Sequence, residues 1–395
     1  MQRKRVFVTS QYLITDPPTK NVVDNLFCSG YEVVYVEQSL KIKTELLPQG
    51  IVSINIRLFN LLPFHFLGRL VNSFFYKWKI NQLIRKYKPD VVIGIMFQPI
   101  SAIRITSGAL FIAAILDIPV IDNCGKYDKI IFNKAFKRLP NWHLVWASDE
   151  YKARLIKEIC KLSNGPTICY NCPPLNYFDG YDKTQCRKWI LNKLKLSGAI
   201  INKDAVIILR AGAIGDYGGL EETLAVFKSL PHNSYFILIG RPGVQYAIKI
   251  NYLITYYSLT KQVFLFQQPT DDEWKKYLFG ADIGHLVHIK PIDNFQAAAI
   301  YNLNSSLSNN RLYQYMAAGL PIIGYNDPRL NIIFNVVDCF RIVDVAKLKE
   351  SIMALCIELV NNPTLRENLG RNGKDAFLNK YNWEIQFKSI LGKIK

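Results

Sequence analysis

The sequence predicts an α/β protein: two tandem, Rossmann-like, doubly wound domains facing each other across a cleft. Three observations lead there. Short runs rich in Val and Ile alternate with amphipathic segments, the pattern of parallel sheet built from βαβ units. The alternation breaks once, at the Pro/Gly/aromatic stretch NCPPLNYFDGYDKT that starts at Asn171, and then restarts. A length of 395 residues, 50% of them hydrophobic, is enough for two cores of ordinary size. The predicted bounds are residues 1–172 for the first domain, 173–200 for a linker and 201–381 for the second domain.

In the first half the candidate strands are Val6–Thr9, Glu32–Val36, Asp90–Gly94, Pro119–Asp122, Leu144–Ala147 and Thr167–Tyr170. Amphipathic segments Val71–Tyr87, Ser101–Leu116 and Asp149–Lys161 lie between them. The apolar stretch Ile100–Ile121 is interrupted by Arg104 and Asp117. Its uncharged core falls short of the roughly 20 residues a spanning helix needs, so it reads as a buried helix and then a buried strand. The basic start leads into an apolar burst of four residues, whereas a secretory signal needs about 7–15. The expected location is therefore cytoplasmic. In the second half the strands are Ala205–Leu209, Tyr235–Gly240, Val263–Phe266, a strand within Ala281–Val287, and Pro321–Tyr325.

Eight cysteines in a chain of this length are too sparse for a disulfide scaffold. The pair Cys169 and Cys172 has CxxC spacing, but Pro173 and Pro174 follow where a redox motif would start a helix, so reduced, buried thiols are expected. The five histidines form no metal-binding motif, and no metal is assigned.

The second half carries the sharper chemistry. Strand Ala205–Leu209 runs into RAGAIGDYGG and then a helix beginning near Leu220. Gly212, Gly215, Gly218 and Gly219 would let backbone amides approach an anion at a helix start. A second start follows: Ser308 or Asn309 as N-cap, a helix from Asn310 to Ala318, Gly319 as its stop, then a strand. Two helix starts facing one cleft would suit a diphosphate, their dipoles partly replacing a metal. Arg210, Arg241, Lys290 and Arg311 are candidate phosphate partners, Arg311 and Arg210 foremost. The plain alternative for each is a solvated surface cation.

The order of these motifs resembles the nucleotide-sugar-binding half of GT-B glycosyltransferases, above all glycosyltransferase family 4. Gly219-Leu220, the run Ser308–Ile323 (SNNRLYQYMAAGLPII), FILIGRPG (Phe236–Gly243) and NPTLRENLGRNGKDAFLNKYNW (Asn362–Trp383) are similar in position and character. The resemblance covers about residues 200–390 and reaches the first half through KYKPDVVIG and WASDEYKARLI. It implies a glycosyltransferase with an acceptor-binding first domain and a donor-binding second domain, using a UDP- or GDP-linked sugar and no cofactor. The segment 382–395 would cross back onto the first domain. It also places a uracil or guanine nucleoside near Gly240, Arg241, Gln267, Gln268 and Pro269, with the ribose near Gln314. Ser306 and Gln314 stand where the family usually has glutamates, and Gly218 stands where it has a basic residue. Lys290 and Ser306 remain as sugar or phosphate contacts. The combination RLYQY is also similar to bacterial glucuronosyltransferases acting on lipid-linked oligosaccharides, which are inverting, so retention and inversion both stay open. An inverting enzyme needs a base; Asp122 and Asp128 are the candidates, against plain readings as turn or cap residues. A catalytically inactive GT-B scaffold in a polysaccharide-assembly complex is the alternative, resting on Ser306, Gln314 and Gly218.

The net charge of +18 divides into +10 over residues 1–185 and +8 over 186–395. Residues 46–89 hold seven Lys/Arg and no Asp or Glu. Phe59, Phe64, Phe66, Arg69, Phe74, Phe75, Lys77, Trp78 and Lys79 in this stretch would suit docking on an anionic membrane surface. That agrees with a lipid-linked acceptor in assembly of surface polysaccharide or glycoconjugate. No nucleic-acid-binding signature accompanies the charge.

Overall fold

A computed structural model describes residues 3–11, 13–38, 44–57, 65–118, 124–215, 219–287, 310–327 and 330–394. The chain divides into two compact units. The first comprises Met1–Pro174 with Trp383–Lys395, the second Leu175–Asn382.

The first unit is built on a parallel sheet of β1 (Arg5–Ser10), β2 (Glu32–Glu37), β3 (Val52–Asn55), β4 (Val91–Ile95), β5 (Leu110–Ile115), β6 (Leu144–Ala147) and β7 (Thr167–Ile168). Their order is β3-β2-β1-β4-β5-β6-β7. Every residue of β4 is buried, and so is all of β1 and β5 beyond the first residue. That explains the near-continuous apolar runs, since both faces are covered by helices. Winding reverses between β1 and β4, and ligands bind at such switch points, beyond the strand carboxyl ends.

Two expectations need correction. Ser101–Leu116 is not one helix: the helix here is Phe97–Ala102, and Leu110–Ile115 is a strand. Gly108, at φ +97°, precedes this strand in a turn, and Ile112 pairs in register with Ile93 and Leu144. A helix here would leave the facing edges of β4 and β6 unpaired. The expected strand Pro119–Asp122 lies outside the described residues. Residues 175–200 are not a linker either. The helix Lys183–Leu196 belongs to the second unit, where Arg187 pairs with Asp282 at 2.6 Å and Lys193 with Glu273 at 2.6 Å.

The helix Trp383–Ile394 packs into the first unit. Trp383, Phe387, Ile390 and Ile394 are buried, and Phe387 meets the edge of buried Trp146 at 5.6 Å.

The second unit repeats the architecture with β8 (Val206–Ile214), β9 (Ser234–Pro242), β10 (Val263–Gln267), β11 (Ile283–His285), β12 (Ile322–Tyr325) and β13 (Phe340–Val343). The parallel order is β10-β9-β8-β11-β12-β13, which places the switch between β8 and β11. The helix following β8 is Leu220–Phe227, and the helix leading into β12 is Asn310–Ala318, with the bounds read from sequence.

Candidate functional site

At the carboxyl ends of β8 and β9 two glycines face each other in register, Gly212 and Gly240. A Cβ on Gly240 would lie 1.8 Å from the Gly212 carbonyl oxygen, and one on Gly212 would lie 2.6 Å from Arg311 Cδ. Both positions have positive φ, +150° and +108°. Only glycine permits this approach, and it lets the stem of Arg311 lie across the backbone. Arg311 Nη1 donates to the Ala211 carbonyl at 2.9 Å. One turn later in the same helix, the Tyr315 hydroxyl donates to Leu209 O and accepts the Ala211 N–H, each at 3.0 Å. Gly284 on β11 leaves room for that ring, since a Cβ there would sit 2.7 Å from it. The helix Asn310–Ala318 is thus pinned by its first two turns to the end of β8.

Beneath lies Arg210, fully buried on β8. Its Nη1 donates to Val287 O at 3.0 Å and faces His285 Nδ1 at 3.5 Å, while Nε and Nη2 have no hydrogen-bond partner among the described residues. Burial, and then the neighbouring charge of Arg311, push its pKa down to about 10, so it remains a cation at neutral pH. His285 is also fully buried; that burial, and next the Arg210 charge, hold its pKa well below the ordinary value. The imidazole is therefore neutral. With Nδ1 accepting from Arg210, Nε2–H donates to Thr223 Oγ1 at 3.0 Å, and the Thr223 hydroxyl donates to Gly219 O. A hydrogen-bonded chain runs from the buried arginine to the start of the helix Leu220–Phe227. Gly219 itself, at φ +84°, leaves no room for a Cβ, which would approach Val287 Cγ1 to 2.5 Å.

The amide of Gly219 is not open to a ligand, because Glu222 Oε2 accepts its N–H at 2.9 Å. Glu221 beside it pairs with Lys249 at 2.5 Å. The first turn of this helix therefore carries two carboxylates, and the positive charge of the site comes from Arg210 and Arg311.

Gly240, Gln267 and Gln268 share the carboxyl edge of β9 and β10. Gln267 pairs with Gly240, and the Gln268 N–H donates to Gly240 O at 3.1 Å from a left-handed backbone, φ +51°. Gln267, Gln268 and Arg241 are exposed; Pro269 and Gly215 are half-buried. Gln314 is buried, and both ends of its amide are engaged. Its Nε2 donates to Tyr177 Oη at 2.9 Å, and its Oε1 accepts from Trp274 Nε1 at 3.4 Å. Gly218, Lys290, Ser306, Ser308, Asn309 and Asp122 lie outside the described residues, as do Phe59 and Phe64. Asn310 and Arg311, the first residues of their helix, are half-buried.

His285, Thr223, Tyr315, Tyr177 and Trp274 were not among the candidates read from sequence. Tyr315 alone had a signal there, four residues after Arg311 on the same helical face.

In the first unit, Asp128 stands in the first turn of the helix Lys126–Arg138, and Arg69 grips its carboxylate at 2.5 and 3.3 Å. The same guanidinium lies 4.2 Å over the Tyr127 ring. Arg69 and Asp128 thus satisfy each other. Along the helix His65–Tyr87, Phe66, Leu67, Val71, Phe74 and Trp78 are exposed, Phe74 to 75%. Lys77 is exposed, Phe75 and Lys79 half-buried. Among the described residues no helix is long and apolar enough to cross a membrane. All eight cysteines are free thiols, and burial raises the pKa of both Cys169 and Cys172.

No protein-family model matches the sequence, and no curated protein matches it significantly. Solved structures match along nearly the whole chain. A glycosyltransferase from Rickettsia africae is 14% identical, with 100% of this chain and 98% of that one covered, at a TM-score of 0.71. HepE from Anabaena, in complex with UDP and glucose, is 11% identical over 99% of both chains, at 0.71. A putative UDP-N-acetylglucosamine 2-epimerase from Listeria monocytogenes is 10% identical over 100% and 96%, at 0.62. Identities this low carry the architecture and not the chemistry. The chain has the GT-B fold.

Proposed function

We propose that the protein is a glycosyltransferase of the family 4 type that takes a sugar from a nucleotide-diphosphate donor. The observation that carries this reading is the meeting of Arg210 and Arg311 beside the Gly212–Gly240 approach at the switch point of the second sheet. Two cations with a close backbone path are what a leaving diphosphate needs: charge developing on the β-phosphate meets preorganised donors in a site partly closed to water. Arg210 at a pKa of about 10 keeps its charge throughout the neutral range. UDP is the favoured donor nucleotide, supported by the complexes of HepE with UDP and with UDP-glucose. Exposed Gln267 and Gln268 would take the base. With the arginines supplying positive charge, transfer would proceed without a metal ion and would be insensitive to chelation.

The acceptor in this reading is a hydroxyl of a lipid-linked glycan in surface polysaccharide or glycoconjugate assembly. The exposed aromatic stripe of the helix His65–Tyr87, with Lys77 and Lys79, would rest on anionic lipid. Asp122 is the preferred base, because Asp128 is held by Arg69. Asp122→Asn should abolish transfer and leave UDP binding intact; full turnover by that variant removes the residue from the mechanism.

The deciding experiment is a thermal-shift screen with UDP and GDP, followed by a donor panel with the anomeric configuration of the product read by NMR. Stabilisation by one of them supports the reading. Stabilisation by neither favours the inactive scaffold, for which the sealed Gln314 and the Glu222 carboxylate argue. An epimerised sugar in place of a transferred one would move the assignment to the epimerase.

A further inference from the structure

We propose that the protein self-associates through the outer face of the helix Val244–Tyr256, which joins β9 to β10, and that the occupant of this face is a second copy of the chain.

This helix shows more apolar side chains to solvent than it buries. Its buried residues are Ile250 and Ile254. Outward it presents Val244, Ile248, Tyr252 and Tyr256, each between 61% and 78% exposed. Single exposed apolar side chains are ordinary, but these stand at i, i+4, i+8 and i+12, one unbroken ridge about 18 Å long. The Tyr252 and Tyr256 rings stack at 5.8 Å, and Tyr257 meets Tyr256 edge-on at 5.0 Å. The aromatic end is thus ordered before a partner arrives, which lowers the entropy lost on association.

The face is nearly free of charge. Lys249 is the one charged residue of the helix, and its ammonium pairs with Glu221 at 2.5 Å on the neighbouring helix Leu220–Phe227. The exposed residues that border the ridge, Gln245, Asn251 and Thr255, are polar and neutral, and Arg241 and Lys261 lie beyond its two ends. A tyrosine-rich apolar core, a neutral polar rim and few charges make up the composition of a protein–protein interface. A lipid-docking helix surrounds its rings with cations instead. An acidic partner would be drawn to the cations elsewhere on a chain of net charge +18.

The ridge also matches itself. Its first half is aliphatic and its second half aromatic, so a two-fold axis level with Ile250 sets each half against the other. Val244 then faces Tyr256 of the second copy, and Ile248 faces Tyr252 of the second copy. Small side chains meet large ones along the whole seam, which keeps the spacing of the two helices even. Rows spaced by four fit each other's grooves when the axes cross at about −50°, the commonest helix packing. A tyrosine buries about 150–250 Å² and the ridge is some two-thirds exposed, so each copy contributes roughly 500 Å² and the pair about 1,000 Å² before the rim is counted. That is the size at which specific association begins.

The test is sedimentation equilibrium of the full chain from about 2 to 200 µM, a range that brackets a micromolar Kd. The mass should rise from 45.4 kDa toward twice that value. Ile248→Glu and Tyr252→Lys, both at exposed positions, should each keep the melting temperature measured at the lowest concentration and weaken association at least tenfold. Mixed in equal amounts the two variants should associate again. The introduced carboxylate of one copy then meets the introduced ammonium of the other, while the unaltered tyrosine and isoleucine pair across the axis. Phe74→Ser with Trp78→Ser should associate as the wild type does. A wild type that stays at 45.4 kDa, a dimer that survives Ile248→Glu, or a mixture that stays monomeric each overturns the proposal. Flotation with phosphatidylglycerol vesicles that is lost in Ile248→Glu, from a chain that stays monomeric, also overturns it and gives the face to a membrane.

Discussion

A Cβ on Gly240 would meet the Gly212 carbonyl at 1.8 Å, against backbone that cannot swing aside as a side chain can. Gly240→Ala should therefore destabilise the protein by about 3 kcal/mol or more, at the upper end for single substitutions. Urea unfolding would measure it, and UDP stabilisation should fall with it. His285 makes a subtler prediction. Its folded pKa lies well below the ordinary 6.5, so below pH 6.5 the unfolded chain binds a proton that the folded chain refuses. Stability contributed here is complete above pH 6.5 and declines as the pH drops beneath it, by up to about 1.4 kcal/mol per pH unit. Unfolding of the wild type and of His285→Gln at pH 5.0 and 7.0 should differ in slope by about that amount; parallel pH dependences would show that the ring is protonated in place. None of this was legible from sequence. Arg210 stood out as a cation at a strand end, but its full burial follows from the placement of Val287 and His285, more than 70 positions away.

At the scale of elements, the helix Asn310–Ala318 was read from sequence with its final bounds, because a polar start, apolar spacing and Gly319 all agree. Its attachment was not readable, since it depends on where the Tyr315 hydroxyl and the Arg311 guanidinium meet the end of β8. Tyr315→Phe removes that hydroxyl from Leu209 O and from the Ala211 N–H, and should cost about 1–2 kcal/mol. Because Arg311 rides on the same helix, UDP affinity should weaken as well, by calorimetry. The strand Leu110–Ile115 reads as helix in the sequence because a short, nearly wholly buried apolar run has no period that separates the two. Its clue was Gly108 just upstream. β3 escaped notice for the opposite reason: VSIN lies on the sheet edge, half-exposed, with polar residues breaking the run. The helix His65–Tyr87 is tested from its exposed side. Phe74→Ser with Trp78→Ser should leave the melting temperature unchanged and reduce flotation with phosphatidylglycerol vesicles by about tenfold; retention of binding would remove this face as the docking surface.

For the whole molecule, two parallel sheets were legible because central strands buried on both faces leave long Val/Ile signatures. The extent of the second unit was not. Its first helix, Lys183–Leu196, follows a proline- and aromatic-rich stretch that by composition looks like a connector, yet Arg187 and Lys193 tie it to Asp282 and Glu273. A chain ending at Asn382 tests the assignment of the last helix. It would lose the burial of Trp383, Phe387, Ile390 and Ile394, several kcal/mol at about 1.5–3 kcal/mol per large apolar side chain. Calorimetry should then show the first unit melting earlier while the second keeps its transition; an unchanged trace would mean that the helix adds nothing to the first unit.

That same arrangement bears on how the protein is made. The second unit is contiguous and can fold as soon as residues 175–382 have been synthesised, whereas the first must wait for the helix that follows. Lys4 Nζ donates to Ile394 O at 3.1 Å, across 390 positions of sequence. On the ribosome, then, the order of completion inverts the order of synthesis. The earlier-made sheet stays without its last covering helix while the later one closes, and the apolar surface around Trp146 is what a chaperone would meet in that interval.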